Sequence, residues 1–178
     1  MGGSHLNDHC FMLLEEIFHL ALIGATVLCS LVAGFLFAFA VVVMPGLRRL
    51  DDRAFITAFQ RIDGVIQNNQ PLFLLVWVGS GVVLAGAVVV GIGHLAGVER
   101  LLLVLTALGY FLGVQWITFR IHLPLNNDLQ TVRVDSLTAA EQHTARHHFE
   151  PRWTRWNAIR TIAATLVSGL LVVLLSTT

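Results

Sequence analysis

Four long apolar runs constrain this chain more than any other feature of its sequence. They cover residues 17–43, 72–92, 101–119 and 159–175. A helix that crosses the hydrocarbon core of a bilayer needs about 20 predominantly apolar residues. The last run looks short, but it reaches that length when Trp156 and Asn157 are counted as its interfacial start. Charged residues make up only 12% of the chain, against roughly a quarter in soluble domains. The sequence therefore predicts an all-α integral membrane protein.

The spacing of these runs predicts a single four-helix bundle over residues 1–178. Its membrane spans are expected at about residues 17–43, 72–92, 101–121 and 156–175. Proline removes a backbone donor and disfavours helical geometry in the residue before it. The first helix should therefore end near Met44-Pro45-Gly46, and the third near His122, before Pro124. The fourth helix is expected to begin around Trp153.

Two segments outside the runs have helical patterns of their own. The first, which Asp51 or Asp52 can cap, carries an apolar stripe at helical spacing made of Phe55, Phe59, Ile62 and Ile66. The second covers residues 138–148, where Thr138 and Glu141 stand in the register of a capping box. Both segments are expected to be amphipathic helical extensions of the bundle.

The arginines predict which side of the membrane these extensions occupy. Ten of the eleven lie in two stretches, Arg48 to Arg61 and Arg120 to Arg160, and the chain has no lysine. Four spans put both stretches on one side of the bilayer, which the positive-inside bias identifies as cytoplasmic. We therefore expect a multi-pass protein of the cell membrane with both termini extracytoplasmic.

The same two stretches hold most of the polar and aromatic side chains that could build a site. They meet at the cytoplasmic end of the predicted bundle. The candidates are Asp63, Gln67, Gln70, Trp116, Arg120, His122, Asn126, Asn127, Trp153, Trp156, Asn157 and Arg160. Amides and arginines around an apolar cleft suit a planar phenolic or ketone ligand, because they can orient its oxygens and stabilise a negative charge. An interfacial belt of tryptophan and arginine, with amides that join helices, accounts for the same residues.

Metal and nucleic-acid chemistry have weaker support. Glu16 and His19 form a Glu-x-x-His motif, which di-iron bundles repeat on a second helix, but no second copy is present. His143 and His147 are an i, i+4 pair that could bind one metal ion, although histidine-rich surface helices are usually solvated. We expect no metal site, no organic cofactor and no nucleic-acid partner, since motifs for these are missing.

An ordered set of motifs resembles a known family. The set comprises Gly34-x-x-Phe37, Met44-Pro45-Gly46-Leu47, an amide-rich second helix, Leu123-Pro124-Leu125-Asn126-Asn127-Asp128-Leu129 and Trp153-x-x-Trp156-Asn157-x-x-Arg160. It is similar to that of the anthrone oxygenase-like family of small four-helix membrane proteins, from about residue 24 to residue 175. The resemblance implies that fold and suggests oxidation of an anthrone methylene to a quinone with O₂, without a flavin or haem motif.

Such chemistry would need a base, a cation that stabilises an anion, and a dry pocket. His122 is the first candidate base and Asp63 the second. Arg120 or Arg160 would stabilise the oxyanion. The expected substrate-binding residues are Gln67, Gln70, Trp116, Asn126, Asn127, Trp153, Trp156 and Asn157.

Two functional classes stay open. The first is a membrane-bound monooxygenase that acts on a lipophilic phenolic or aromatic ketone at the cytoplasmic face. The second is a non-catalytic membrane protein that binds a lipid, a quinone or a partner protein. Membrane lipid and a lipophilic aromatic small molecule are the expected partners, and a homo-oligomer is left open. Four spans without an inverted repeat argue against a stand-alone transporter, unless the protein oligomerises.

Overall fold

The computed structural model describes residues 2–178, with the side chains of His9 and of Phe11 onward. Over this range the chain is helical and contains no strand, which confirms the predicted all-α class. The α-helices are α1 (Gly2–Ala38), α2 (Met44–Leu47), α3 (Asp52–Gln67), α4 (Pro71–His94), α5 (Gly97–Tyr110), α6 (Leu123–Gln130) and α7 (Ala139–Thr177). Three π-helical segments, Phe39–Val43, Phe111–Trp116 and Thr118–His122, and a 3₁₀ turn, Val134–Ser136, connect some of them.

Four continuous helical stretches are long and apolar enough to cross a membrane. They are Phe11–Leu47, Pro71–His94, Gly97–Gln130 and Ala139–Thr177. A core of buried apolar side chains, among them Leu22, Leu84 and Leu171, joins α1, α4, α5 and α7. Many other large apolar residues on these helices are exposed, as Val89 is at 78%. An exposed apolar surface of this kind suits a lipid environment, and the protein is a multi-pass membrane protein.

One predicted helix end near a proline was wrong. The third stretch does not end near His122 but continues through Pro124 to Gln130. There the Leu123 N–H bonds to the Thr118 carbonyl, five residues back. This π-helical register change lets Pro124 begin a new α-helical segment, where a missing donor does little harm. Pro45 follows the π-helical segment Phe39–Val43 in the same way, and the first stretch ends at Leu47, near Met44-Pro45-Gly46 as predicted.

The fourth helix likewise begins well before Trp153. Helix α7 runs without interruption from Ala139 through Pro151 to Thr177. Proline inside a helix usually kinks or breaks it. Here the buried side chains of Phe149 and Trp153 anchor the helix on both sides of Pro151. Packing therefore holds the helix across the proline. The expected capping box at Thr138 and Glu141 is confirmed at the start of α7.

Helices α3 and α4 are separated by a sharp turn. Asn69 adopts a left-handed conformation with φ of 59°, which asparagine tolerates better than most residues. The side chain of Gln70 then accepts a hydrogen bond from the Phe73 N–H, so that it caps α4 directly before Pro71. This turn directs α3 across the end of the bundle.

The two arginine-rich stretches pack against each other at that end. Arg146 on α7 donates to Asp52 on α3 at 3.0 Å and to Glu150 on its own helix at 2.7 Å. It also donates to the carbonyl oxygens of Arg48 and Leu50 at 3.0 and 2.8 Å. One half-buried network thus fixes the start of α3 and the first turns of α7 beside each other. That this end faces the cytoplasm stays a prediction.

Candidate functional site

A cavity of about 310 Å³ lies inside the arginine-rich end of the bundle. Helices α1, α3, α4, α6 and α7 and the π-helical segment Thr118–His122 all contribute to its lining. Its polar side consists of Asp63, Gln67, Asn69, Thr118, His122, Asn126, Trp153, Asn157 and Arg160. Its aromatic side consists of Phe35, Phe39, Phe59, Phe73, Trp77 and Phe119.

Most of the residues singled out from the sequence line this one cavity. They are Asp63, Gln67, His122, Asn126, Trp153, Asn157 and Arg160. These residues come from helices that are far apart in the chain, and they meet because α3 and the start of α7 cross the same end of the bundle. Their location is observed, whereas their catalytic and binding roles stay predictions.

The other predicted site residues lie outside the cavity. Trp116 and Arg120 are exposed on the outer surface of the third stretch. Gln70 caps α4 and lines an apolar groove that adjoins the cavity. Asn127 is exposed and accepts a hydrogen bond from Gln67 at 3.3 Å. Trp156 is half-buried and packs beside the cavity rather than in its lining.

Arg160 is the most unusual group in the cavity, because it is a buried cation without an anion beside it. Its side chain is only 5% exposed. One terminal nitrogen donates to Thr118 Oγ1 and the other to Asn157 Oδ1, both at 2.9 Å. Among the described residues, no carboxylate lies within 4.0 Å of the guanidinium, and its Nε has no partner. A buried, unpaired charge is costly, and a bound anion would offset that cost.

Thr118 and Asn157 are themselves held in place by backbone carbonyls. Thr118 Oγ1 donates to the Val114 carbonyl at 2.7 Å. Asn157 Nδ2 donates to the Leu36 carbonyl of α1 at 3.2 Å. The guanidinium is therefore fixed by two side chains that cannot turn freely. Preorganised donors of this kind stabilise a developing negative charge with little reorganisation.

Asp63 differs from Arg160 in that both of its charged oxygens are hydrogen-bonded: it is a buried carboxylate surrounded by amide donors. It is 4% exposed. Its Oδ2 accepts from Gln67 at 2.7 Å and from Gln130 at 2.9 Å, and its Oδ1 accepts from Asn126 at 2.7 Å. Asn126 in turn accepts from the Trp153 indole N–H at 2.9 Å. Charge-assisted bonds to a carboxylate are among the stronger hydrogen bonds in proteins, so this group is rigid.

His122 lines the cavity with both ring nitrogens unused. It is 2% exposed, and neither Nδ1 nor Nε2 has a hydrogen-bond partner among the described residues. Its ring lies 5.0 Å from the Trp153 ring, edge to face at 84°. A buried polar atom without a partner costs about 1–3 kcal/mol. Such an atom in a cavity lining is available to a ligand that enters the cavity.

The aromatic side presents flat, apolar surfaces to the same space. Phe73 stacks on Trp77 with ring centres 5.6 Å apart and planes at 17°. Phe35 lies 5.4 Å from Phe73, and Phe39 lies 5.6 Å from Trp153. Aromatic side chains favour offset contacts with other rings. The cavity therefore combines an apolar aromatic surface with a fixed cation and an imidazole whose nitrogens have no hydrogen-bond partner.

Several lining residues were not among the sequence candidates. The aromatic residues Phe35, Phe73 and Trp77 lie within or next to apolar runs, where composition does not separate cavity-facing from lipid-facing positions. Thr118 did carry a signal, since it precedes His122 by one helical turn. Gln130, which lies outside the lining, could also have been found from its spacing, because it follows Asn126 by four residues, about one helical turn.

The histidine motifs outside the cavity form no metal cluster in the described part of the chain. His143 Nδ1 lies 3.1 Å from Asp52 and its ring centre lies 6.0 Å from that of His147. This pair belongs to the surface of the arginine-rich end.

Fold and cavity together define a class: a multi-pass helical membrane protein with a cavity, lined by polar and aromatic side chains, at one end of its bundle. The sequence model of the anthrone oxygenase family matches residues 59–170, which is more than half of the chain. The chain belongs to this family, and the resemblance seen in its motifs is confirmed. All the polar lining residues lie within the matched region. No curated protein and no solved structure matches the chain significantly.

Proposed function

We propose that this protein is a membrane monooxygenase that oxidises a lipophilic phenolic ketone of the anthrone type with O₂. The observation that carries the proposal is the pairing of Arg160, a buried cation without a carboxylate partner, with His122, a buried imidazole whose nitrogens are both free. Family membership and the spanning helices support the oxygenase-like membrane class. The substrate and the catalysis are what we propose beyond that.

The proposed reaction begins with removal of a proton. An anthrone methylene lies opposite a ring ketone, so that loss of one C–H proton gives an aromatic enolate. His122 accepts that proton as the general base. Arg160 stabilises the enolate oxygen, with its guanidinium held by Thr118 and Asn157. The aromatic side excludes water, which strengthens this electrostatic interaction.

The enolate is then the reductant for O₂. It passes one electron to O₂, and the resulting radical and superoxide combine at the former methylene carbon to give a peroxide anion. Protonation gives a hydroperoxide. Loss of the remaining C–H proton and of hydroxide, which together form water, leaves a second ring ketone. In total, CH₂ and O₂ become C=O and H₂O, so that one oxygen atom enters the product.

The size and position of the cavity suit such a substrate. Its volume of about 310 Å³ lies at the lower end of the range for small-molecule sites, roughly 300–1,000 Å³. Leu74, Val78, Phe119 and Leu123 line it and are also exposed on the outer surface of α4 and the third stretch. A lipophilic ligand can therefore enter sideways from the bilayer, at the end that we predict to be cytoplasmic.

The test is oxidation of an anthrone by the purified protein without added flavin, haem or metal. Quinone formation and O₂ consumption should exceed the rate without protein. Arg160→Ala and His122→Ala should each lower the protein-dependent rate by on the order of 10²-fold, the scale of losing one oxyanion donor or a general base. Arg155→Ala is the matched control, because Arg155 is exposed on the same helix.

Other outcomes would change the assignment. Full activity in both cavity variants would remove Arg160 and His122 from the mechanism. Activity that is lost on chelation and restored by copper or iron would implicate the histidine clusters instead. A wild-type protein that binds the phenolic ketone in an Arg160-dependent way but oxidises nothing would favour the non-catalytic class, a membrane protein that binds a quinone or lipid.

A further inference from the structure

The orientation of the Asn126 amide is determined by its two neighbours. On one side is Asp63 Oδ1, which as part of a carboxylate only accepts hydrogen bonds. On the other side is the Trp153 indole N–H, which only donates. One orientation alone satisfies both: Nδ2 toward Asp63 and Oδ1 toward Trp153. The carboxylate therefore decides which atom Asn126 offers to the indole.

Trp153 in turn packs directly against the candidate base. Its ring is 4% exposed and lies 5.0 Å from the His122 ring, nearly perpendicular to it. His122 has no hydrogen bond within 3.5 Å among the described residues. Packing therefore has a large part in orienting the imidazole, and Trp153 is the aromatic ring in contact with it. A shift of the indole would therefore move the imidazole.

Asp63 is firmly anchored at the other end of this chain of contacts. Gln130 donates both to Asp63 Oδ2 and to the backbone carbonyl of Gln60, at 2.9 and 3.0 Å. Gln67, one helical turn after Asp63 on α3, donates to the same oxygen at 2.7 Å. Three amide donors thus occupy the carboxylate, which has room for about four. An acceptor so occupied is poorly placed to take a proton from a substrate.

We infer that Asp63 is a positioning residue that orients the His122 imidazole through Asn126 and Trp153. Its catalytic consequence rests on the proposed function, whereas its effect on Trp153 and His122 does not. The inference replaces the direct role as a second base that the sequence suggested for Asp63.

Asp63→Asn is the sharpest test, because it keeps the shape and removes one acceptor atom. Suppose that the oxygen of the new amide faces the donors of Gln67 and Gln130. The NH₂ of the new amide then faces Asn126. Asn126 must turn its oxygen toward that NH₂, and its own NH₂ then faces the Trp153 N–H. Two donors then oppose each other, and the indole loses its bond. The Trp153 indole N–H signal in the NMR spectrum, assigned by its absence in Trp153→Phe, should move upfield and exchange faster with solvent. The His122 ring signals should shift with it.

Two further variants keep the inference testable if Asp63→Asn does not fold. Asn126→Leu breaks the same chain of contacts without altering the carboxylate, and should shift the Trp153 and His122 signals alike. Gln130→Met is the matched control, since it removes a donor from the other carboxylate oxygen. It should leave the Trp153 signal in place.

In the oxidation assay, Asp63→Asn and Trp153→Phe should each lower kcat by on the order of 10- to 100-fold. KM should change by less than about threefold, and the double variant should be no worse than the poorer single variant, since both act through one chain of contacts. A strong loss in Asp63→Asn with unchanged Trp153 and His122 signals would overturn the inference and restore Asp63 as the base. If the wild type oxidises nothing, the proposed function fails, and the NMR shifts still decide the inference.

Discussion

At the scale of single residues, the site is defined by polar groups whose hydrogen-bonding capacity is unequally used. Asp63 is surrounded by donors, Arg160 has two acceptors and no anion, and His122 has no partner. Buried polar groups are generally satisfied, and the exceptions call for an explanation. Here the unsatisfied atoms of Arg160 and His122 belong to residues that line one cavity, which is why we assign them to a ligand rather than to helix packing.

Substitution of two buried threonines, Thr118 and Thr106, can test whether the Thr118 hydroxyl specifically supports Arg160. Thr118→Val should lower the free energy of unfolding by about 1 kcal/mol, because Arg160 loses an acceptor. Thr106→Val should leave it unchanged or raise it, since the Thr106 hydroxyl is buried without a partner. Thermal unfolding in one detergent measures both. Equal losses in the two variants would mean that the hydroxyl of Thr118 does not support the guanidinium.

The sequence located the polar side of the cavity better than its aromatic side. Asp63, Asn126, Asn157 and Arg160 stand out because polar residues are rare beside apolar runs. Phe35, Phe73 and Trp77 could not be separated from lipid-facing residues, because both environments are apolar.

Arg120 and Trp116 show a different limit of sequence analysis. Both were predicted as site residues because they lie at the expected cytoplasmic end of the bundle, yet both are exposed. The π-helical segments Phe111–Trp116 and Thr118–His122 change the angular step between successive residues. Arithmetic based on 100° per residue therefore loses the phase of this helix, and no simple sequence pattern announces a π-helical turn.

At the scale of helices, apolar length predicted the number of spans, whereas proline was an uneven guide to where they end. The first span ends near Pro45 as predicted, but the third continues past Pro124. The chain passes Pro45 and Pro124 after π-helical segments and passes Pro151 inside α7. The same register changes place Thr118 and His122 in the cavity lining. The irregular geometry that misled the prediction of helix ends is thus part of what builds the site.

A prediction at this scale concerns the close packing of α7 against the π-helical segment Phe111–Trp116. A Cβ atom added to Gly113 would lie 2.7 Å from the Ala163 Cβ, and neither group can rotate away. Gly113→Ala should therefore destabilise the protein by roughly 1–3 kcal/mol, the usual cost of overpacking. Thermal unfolding measures the change.

Gly169→Ala on α7 is the matched control, because nothing lies within 4 Å of the added atom. Its unfolding temperature should equal that of the wild type or exceed it. A Gly113→Ala protein as stable as this control would show that the two helices can separate without cost.

At the scale of the whole molecule, the arginine-rich stretches do two things at once. They pack together through Arg146, Asp52 and Glu150, and they enclose the end of the bundle that contains the cavity. The charge distribution that orients a membrane protein is therefore tied to the position of the site. A protein inserted the other way round would present its cavity to the opposite compartment.

This link gives a topological prediction. The fourth span separates Thr178 from the second arginine-rich stretch, so a reporter fused after Thr178 should lie on the side opposite the two stretches and behave as extracytoplasmic. A fusion after Ser136, in the 3₁₀ turn between α6 and α7, should behave as cytoplasmic. Alkaline phosphatase and a green fluorescent protein report the two sides in complementary ways. If the two fusions gave reversed signals, the bundle would be inverted, and the substrate would have to reach Arg160 from the outer leaflet. If both reported the same side, the four-span topology itself would be wrong.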